Sequence, residues 1–215
     1  MPNIIDKTYF QKANELNIPL GADTLIANPA IATPNQADAL TLLIAKIEKS
    51  ILLNALGLAT YNTLQLALAD IDNPLYASYK KLVQGESYDG KVWNGLNNDY
   101  SLIAYRVYEE FVTETNQILT GVGTVQGNPE KATLTSPKYK IANANANFLK
   151  QYQGGYLVYP IIYNDGEFID YFGNQETTEV SLYQYLLDKG SDFVDFDIAK
   201  FFIYCEEESK NSFGI

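Results

Sequence analysis

Histidine is absent from this chain of 215 residues, and arginine and cysteine each occur once. Without histidine the chain lacks the commonest general base, the serine and cysteine triads that depend on it, and most zinc sites. Arg106 is the only arginine, so the guanidinium contacts that read base edges or clamp phosphates are nearly unavailable. Sequence-specific DNA binding is therefore not expected. Cys205 cannot form an intrachain disulfide, which fits a reducing compartment.

Long apolar runs are also missing. No stretch of 18 apolar residues occurs, and the N-terminus MPNIIDKTYF has no basic stretch followed by an apolar core. The sequence therefore predicts neither a membrane span nor a secretion signal, and we expect a soluble protein made in the cytoplasm. With 47% hydrophobic residues, the chain can still bury a substantial core.

The apolar residues that are present recur mostly at helical spacing. They predict a short helical stretch near residues 7–15 and helices over 33–57, 58–69, 74–84, 99–119 and 137–152. Thr33, Pro34 and Gln36 form a capping box at the first long helix, and Gly57 suits its C-terminal end. In the last of these helices the predicted inward line is Tyr139, Ala142, Ala146 and Leu149. Residues 85–98, which include Trp93, are predicted to be a loop, and residues 121–136 a glycine-rich one.

After Gly154 and Gly155 the pattern changes. Two aromatic and β-branched runs, YLVYPIIY and EFIDYF, flank Asn164-Asp165-Gly166 and predict a β-hairpin. Two short helices are expected beyond it, one over 182–190 and one after Asp197 with Ile198, Phe201, Phe202 and Cys205 inward. The predicted fold is mainly α: a helical bundle with a C-terminal β-hairpin and short helices.

The end of the chain is unusually acidic and rich in tyrosine. Residues 160–215 hold 12 of the 26 acidic residues but only three lysines, so this segment carries −9 of the net charge of −11. Eight of the 17 tyrosines lie at or after Tyr152. Tyrosine combines a large contact area with a polar tip, which favours protein interfaces, although the aromatic bulk could equally serve a local core. We expect a helical domain over 1–155 and an acidic hairpin and arm over 156–215, so that deleting residues 165–215 should leave the helical domain folded.

Possible catalytic, metal and phosphate sites all have simpler interpretations. Glu110 and Glu114 lack the histidine of a di-iron bundle, and pairing of Glu110 with Arg106 on a solvated helix face is favoured. The run GVGTVQG lacks both the spacing and the preceding strand of a nucleotide loop. Asp192, Asp195 and Asp197 lack the glycine and distal glutamate of a calcium loop, and aspartates near a helix start explain them. We therefore expect no enzyme, no metal and no cofactor.

Several segments together resemble one known family. NALGLATYNTL, YDGKVWNGL, SLIAYRVYEEFVTETNQIL and GVGTVQGNPEKATLTSPKYK follow one another in residues 35–152. This layout resembles the head-to-tail connector proteins of tailed bacteriophages, and more narrowly the ring or adaptor proteins beneath the portal in crAss-like phages. The hairpin and the acidic segment lie outside the resemblance.

The resemblance implies a structural role in the virion, at the neck between head and tail. Such proteins form rings, commonly dodecameric, that dock on the portal protein and meet a neighbouring ring or tail protein. The rings extend the DNA channel, and an acidic channel wall would let DNA pass without specific binding. The candidate contact residues are Trp93, Gly121, Gly123, Gly127, Lys131, Tyr156, Tyr159, Tyr163, Asp165, Phe168, Tyr171 and Phe213. The alternatives are another virion assembly protein such as a tail adaptor, and a carboxylate-dependent enzyme with two buried acids.

Overall fold

The structure, a computed structural model, describes residues 3–11, 15–18, 36–115, 117–120, 123–126, 138–154 and 178–204. Its helices are α1 (Gln36–Ala69), α2 (Ala77–Gln84), α3 (Leu102–Thr115), α4 (Lys138–Gln153) and α5 (Leu182–Lys189). Two antiparallel hairpins pair β1 (Glu86–Tyr88) with β2 (Lys91–Trp93) and β3 (Gln117–Thr120) with β4 (Gly123–Gln126). Single 3-10 turns cover Lys7–Gln11, Pro74–Tyr76, Gly190–Asp192 and Ile198–Lys200. The predicted mainly α class with an antiparallel hairpin is confirmed; the hairpin expected at 156–172 lies outside the described residues.

Helix α3 is the centre of the bundle and packs against both α1 and α4. The sequence places Ile103 and Val107 on one line of α3, with Ala104 and Tyr108 on the next, and all four side chains are buried. Two adjacent apolar lines let one helix contact neighbours on two sides. This part of the prediction is confirmed.

Gly57 interrupts α1. Its φ of +74° is in the region that L side chains rarely adopt, and the helix is kinked there into two parts. The two helices predicted on either side of this glycine are therefore both present. They are joined without an intervening loop.

The loop predicted over 85–98 is wrong, because this stretch contains the β1–β2 hairpin. Asp89 and Gly90 form its two-residue turn with φ of +46° and +77°, as a type I′ turn requires. Strands of three residues each are too short for their alternation to be evident in the sequence. The Asp89-Gly90 pair, which is typical of such turns, is the feature of the sequence that indicates this hairpin.

The base of this hairpin is held against the end of α2. The indole Nε1 of Trp93 donates a hydrogen bond to the Leu82 carbonyl over 2.9 Å. Gly95 has a φ of +83°, and a Cβ atom there would lie 2.6 Å from the Val83 carbonyl oxygen. Only glycine allows the two backbones to approach this closely.

The described part of the acidic C-terminal segment is built into the same core as the helices. Val92 of β2 donates to the Thr178 carbonyl over 2.8 Å and accepts from Val180 over 3.0 Å, so residues 178–180 lie alongside the hairpin as a short parallel bridge. Val180, Tyr185, Leu186, Phe193 and Phe201 are buried among side chains of the helical bundle. These contacts attach residues 178–204 to the helical bundle, and the expectation that the helical domain folds without residues 165–215 stays a prediction.

Helix α3 ends earlier than predicted. It stops at Thr115, and residues 117–120 and 123–126, expected to be helix and glycine-rich loop, instead form the paired strands β3 and β4 with Ile118 opposite Val125. Threonines 113, 115 and 120 and Asn116 have low helix propensity, which outweighs the helical spacing of Ile118 and Leu119.

Helix α4 is present as predicted, but its buried face is not the predicted one. Tyr139 is 81% exposed, and Ala142 and Ala146 are also exposed. Of the predicted line only Leu149 is buried, and it lies beside Phe148 and Tyr152, which are one helical turn apart. Since alanine and asparagine alternate over residues 142–147, the two large aromatic residues in the second half of the helix decide which face is inward.

The helix predicted after Asp197 is reduced to a single 3-10 turn. Asp197 accepts a hydrogen bond from the Ala199 backbone over 3.0 Å, so this aspartate does cap a helical start. The chain then continues without regular secondary structure to Tyr204. Phe201 is buried against Tyr152, with ring centroids 4.7 Å apart.

Candidate functional site

Two of the predicted contact residues fall within the described part of the chain. Trp93 is buried with 3% of its surface exposed, so its indole offers no surface to a neighbour. Gly123 begins β4 opposite Thr120. The other ten lie outside the described residues: Gly121, Gly127, Lys131, Tyr156, Tyr159, Tyr163, Asp165, Phe168, Tyr171 and Phe213.

The single arginine is turned into the protein. Arg106 pairs with Glu109 over 2.7 Å, and not with Glu110 as the sequence suggested. Its guanidinium also lies 5.6 Å from the ring centroid of Phe148 and 6.0 Å from that of Tyr204. Arg106 thus joins α3 to α4 and to the C-terminal segment.

The acidic groups do not converge on a metal site. Among the residues that the structure describes, no group of three or more acidic or cysteine side chains is placed to hold a metal ion. Within the same residues Glu48 is the one buried carboxylate, whereas an acid–base enzyme of the kind considered above needs two.

Glu48 fastens the N-terminal segment to α1. Its carboxylate accepts hydrogen bonds from the backbone of Ile4 at 2.9 and 3.0 Å and of Ile5 at 3.3 Å. Burial raises the pKa of Glu48 to about 7, although these backbone hydrogen bonds act in the opposite direction. Ile5 and Phe10 of the same segment are fully buried, so the attachment is both polar and apolar.

An exposed apolar surface lies on the second half of α1. We define the α1 patch as Leu58 and Leu66, whose exposed fractions are 67% and 62%. Leu58 and Leu66 are two helical turns apart and therefore lie on one face of α1.

Two hydrogen bonds place Val194 and Phe202 along the same helix. The hydroxyl of Thr60 donates to the Val194 carbonyl over 3.1 Å, and the backbone of Phe202 donates to the Asn54 carbonyl over 2.8 Å. The chain from Val194 to Phe202 therefore runs antiparallel to α1 along one of its sides. Thr60 is buried and about 200° around the helix from Leu58, so Val194 lies against a different side of α1 from that leucine.

The α1 patch contains no charge of its own. Between Lys49 and Asp70 the sequence of α1 has no charged residue, in a chain of which 19% is charged. Exposed Asp70 follows the end of α1. An uncharged apolar surface with a polar margin is the usual composition of a protein contact.

A second surface is concave. A cleft of about 480 Å³ lies between residues 15–17, α3 and the first turns of α4. We call it the tyrosine cleft; it is lined by Glu15, Leu16, Asn17, Tyr105, Tyr108, Tyr139, Lys140, Asn143 and Ala144.

Tyr105 and Tyr108 of the cleft remain protonated at neutral pH. Burial raises the pKa of Tyr105, whose hydroxyl donates a hydrogen bond to the Glu15 carboxylate, which raises it further. Burial likewise raises the pKa of Tyr108. These phenols are neutral hydrogen-bonding groups with apolar rings, which suits a binding surface and not an acid–base site.

Sequence reasoning did not identify either surface. The helical spacing of Leu58, Tyr61, Leu64 and Leu68 predicts all four inward, which is wrong for Leu58. Leu66 carries no signal that distinguishes it from a core leucine. The cleft joins residues about 90 to 130 positions apart, and their proximity cannot be read from spacing. The one available hint was the absence of charge between Lys49 and Asp70.

Comparisons with known proteins give no relatives: no family model, no curated protein and no solved structure matches this chain. In the described part of the chain, no helix has both the length and the apolar character that crossing a membrane requires.

Proposed function

We propose that this chain is a ring-forming head-to-tail connector subunit of a tailed bacteriophage, which docks below the portal and extends the DNA channel toward the tail. It acts by binding and not by catalysis. Its site of action is the neck of the virion, and its partners are other copies of itself, the portal protein, and a neighbouring ring or tail protein.

The observation that carries this proposal is the α1 patch. Leu58 and Leu66 are more than half exposed on a stretch of α1 without charge, and large apolar side chains are costly to leave in water. A protein that functions alone gains nothing from such a surface, whereas a subunit of an assembly buries it. The resemblance of residues 35–152 to connector proteins supplies the kind of assembly.

The charge of the chain is compatible with a DNA channel. A net charge of −11 repels the phosphate backbone, and Arg106 is occupied within the protein. DNA would therefore slide past this subunit without being held. Among the described residues, no pair of buried acids favours the enzyme alternative.

The test combines native mass with position in a particle. We expect the purified chain to form a closed oligomer, and electron microscopy of particles to locate it between portal and tail. A chain that stays monomeric at high concentration, or that is missing from purified particles, would contradict the proposal. A position further along the tail would favour a tail adaptor.

A further inference from the structure

We propose that residues 3–11 form a pH-dependent strap, which detaches from α1 when the Glu48 carboxyl group loses its proton, while the helical bundle stays folded. We call these residues the N-terminal strap. The proposal concerns a conformational change within one copy of the chain and does not depend on the proposed ring.

The N-terminal strap is attached at few points. Its only regular structure is the 3-10 turn Lys7–Gln11, and five of its nine side chains are exposed. Ile5 and Phe10 are buried in the core, and the Tyr9 hydroxyl donates a hydrogen bond to the Asn97 carbonyl over 2.5 Å. A segment with little regular structure and few buried side chains has a low local stability, so it can open without unfolding of the whole protein.

Glu48 holds the first residues of the strap and is itself covered by them. Its carboxylate accepts the backbone hydrogen bonds of Ile4 and Ile5, and only 2% of the Glu48 surface is exposed. Among the described residues, no lysine or arginine forms an ion pair with it. Lys46 and Lys49 are exposed on other faces of α1. An ionised carboxylate in this position lacks a compensating positive charge, and detachment of the strap returns it to water.

Two tyrosines interact with Glu48, one from the strap and one from α1. Burial raises the pKa of Tyr9, and the charges of Asp99, Asp6 and Glu48 raise it further. Burial also raises the pKa of Tyr61, again with a contribution from Glu48. Both phenols therefore keep their protons around neutral pH, and neither can cause a change of charge there.

The direction of the pH dependence follows from the burial of Glu48. With the strap closed, burial raises the pKa of Glu48 to about 7, although the backbone hydrogen bonds lower it; with the strap open, the carboxyl group is in water and has its ordinary pKa of 4.5. The closed form binds the proton more tightly, so it is favoured below pH 7 and loses stability relative to the open form as pH rises through 7. Linkage between these two pKa values increases the open-to-closed ratio about tenfold from pH 6 to pH 8.

Hydrogen exchange of backbone amides in the full chain tests the strap. The exchange rates of the Ile4 and Ile5 amides at pH 6, 7 and 8 are divided into those of the same amides in the urea-unfolded chain, which removes the intrinsic effect of pH. We expect both amides to be less protected than the Val107 amide of α3 at every pH, and their protection to fall about tenfold from pH 6 to pH 8. Low concentrations of urea should speed exchange at Val107 more than at the strap, because opening of the strap exposes little surface.

E48Q removes the titrating group. Glutamine has nearly the size of glutamate and keeps an oxygen acceptor, but it cannot ionise, so the protection of Ile4 and Ile5 in E48Q should not change from pH 6 to pH 8. The matched controls are D6N and E114Q, which remove exposed carboxylates of the strap and of α3 and should keep the tenfold fall. Circular dichroism checks that each variant folds.

Four results would overturn the proposal. In the wild type, these are protection of the strap amides that does not change between pH 6 and pH 8, or protection equal to that of Val107, which would mean that the strap opens only when the whole protein unfolds. In the variants, they are a tenfold fall that persists in E48Q, or a fall that disappears in D6N. The two wild-type results decide against the strap even if E48Q does not fold.

Discussion

The ring of Tyr185 lies nearly flat on the indole of Trp93, with centroids 5.3 Å apart and planes 20° apart. The two residues belong to parts of the chain that the sequence suggested were separate units. The Tyr185 hydroxyl also donates to Glu86 over 2.9 Å, so α5 is attached to the β1–β2 hairpin by stacking and by a hydrogen bond.

Replacing Tyr185 should destabilise the whole fold and not only its C-terminal part. We expect Y185A to lower the free energy of unfolding by about 3–5 kcal/mol, as for other buried aromatic residues. The same urea titration, followed by Trp93 fluorescence and by far-ultraviolet circular dichroism, should show one shared transition. L187A, at a half-exposed position of the same helix, is the control and should change stability by less than about 1 kcal/mol. Two separate transitions would indicate that residues 178–204 form an independent unit.

Glu48 should make stability depend on pH. Its pKa is raised to about 7 in the folded protein from the ordinary 4.5, so the folded state holds the proton more tightly and stability falls as pH rises through this window. The loss should approach about 3 kcal/mol above pH 7. E48Q should lack this part of the slope in urea titrations between pH 5 and 8.

The control for Glu48 is E114Q, at an exposed position of α3, which should keep the wild-type slope because Glu48 remains. A slope of wild-type size in E48Q would show that another group is responsible.

Tyr152 should tolerate loss of its hydroxyl. The ring is fully buried, and the hydroxyl has no hydrogen-bond partner among the described residues. We therefore expect Y152F to leave stability unchanged or to raise it by about 1 kcal/mol, since a buried unpaired polar group is removed. Y105F, which loses the hydrogen bond to Glu15, should instead be destabilising by about 1 kcal/mol. The denaturation midpoints of Y152F and Y105F test this prediction. A loss of more than about 1 kcal/mol of stability in Y152F would show that the Tyr152 hydroxyl has a hydrogen-bond partner.

Gly95 should be intolerant of any side chain. Its φ is +83°, and a Cβ atom would lie 2.6 Å from backbone atoms of α2 and Gly85. We expect G95A to cost more than about 2 kcal/mol, from backbone strain together with separation of the hairpin from α2. Gly90 also has a positive φ, but nothing lies within 4 Å of the added atom, so G90A should cost only about 1 kcal/mol. Thermal unfolding of G95A and G90A measures the stability that each variant loses, and equal losses of stability would contradict the prediction.

The bundle could be predicted because its signals are local. α3 carries two adjacent apolar lines, and Gly57 and Gly85 mark helix ends by a conformation that other residues avoid. The β1–β2 hairpin could have been predicted from Asp89-Gly90, had its strands not been so short. The inward face of α4 could not be assigned from the sequence, because alanine and asparagine alternate over residues 142–147, ahead of Phe148 and Tyr152.

The remaining features depend on contacts between distant residues. Val92 forms backbone hydrogen bonds with Thr178 and Val180, and such contacts cannot be predicted from the spacing of side-chain types along the sequence. The exposure of Leu58 and Leu66 depends on which side of α1 the rest of the chain covers. Both the candidate surfaces and the incorporation of the C-terminal segment therefore required the structure.

The bridge between Val92 and residues 178–180 also bears on how the chain reaches its folded state. Trp93 and the hairpin have their covering aromatic residues about 90 positions later in the sequence, so closing the core brings together ends of a long loop. Such non-local contacts slow folding. During synthesis the hairpin and α2 leave the ribosome well before α5 does, and their apolar surfaces stay uncovered in that interval. Residues 178–204, which are nearly the last described residues to be synthesised, therefore complete the core late.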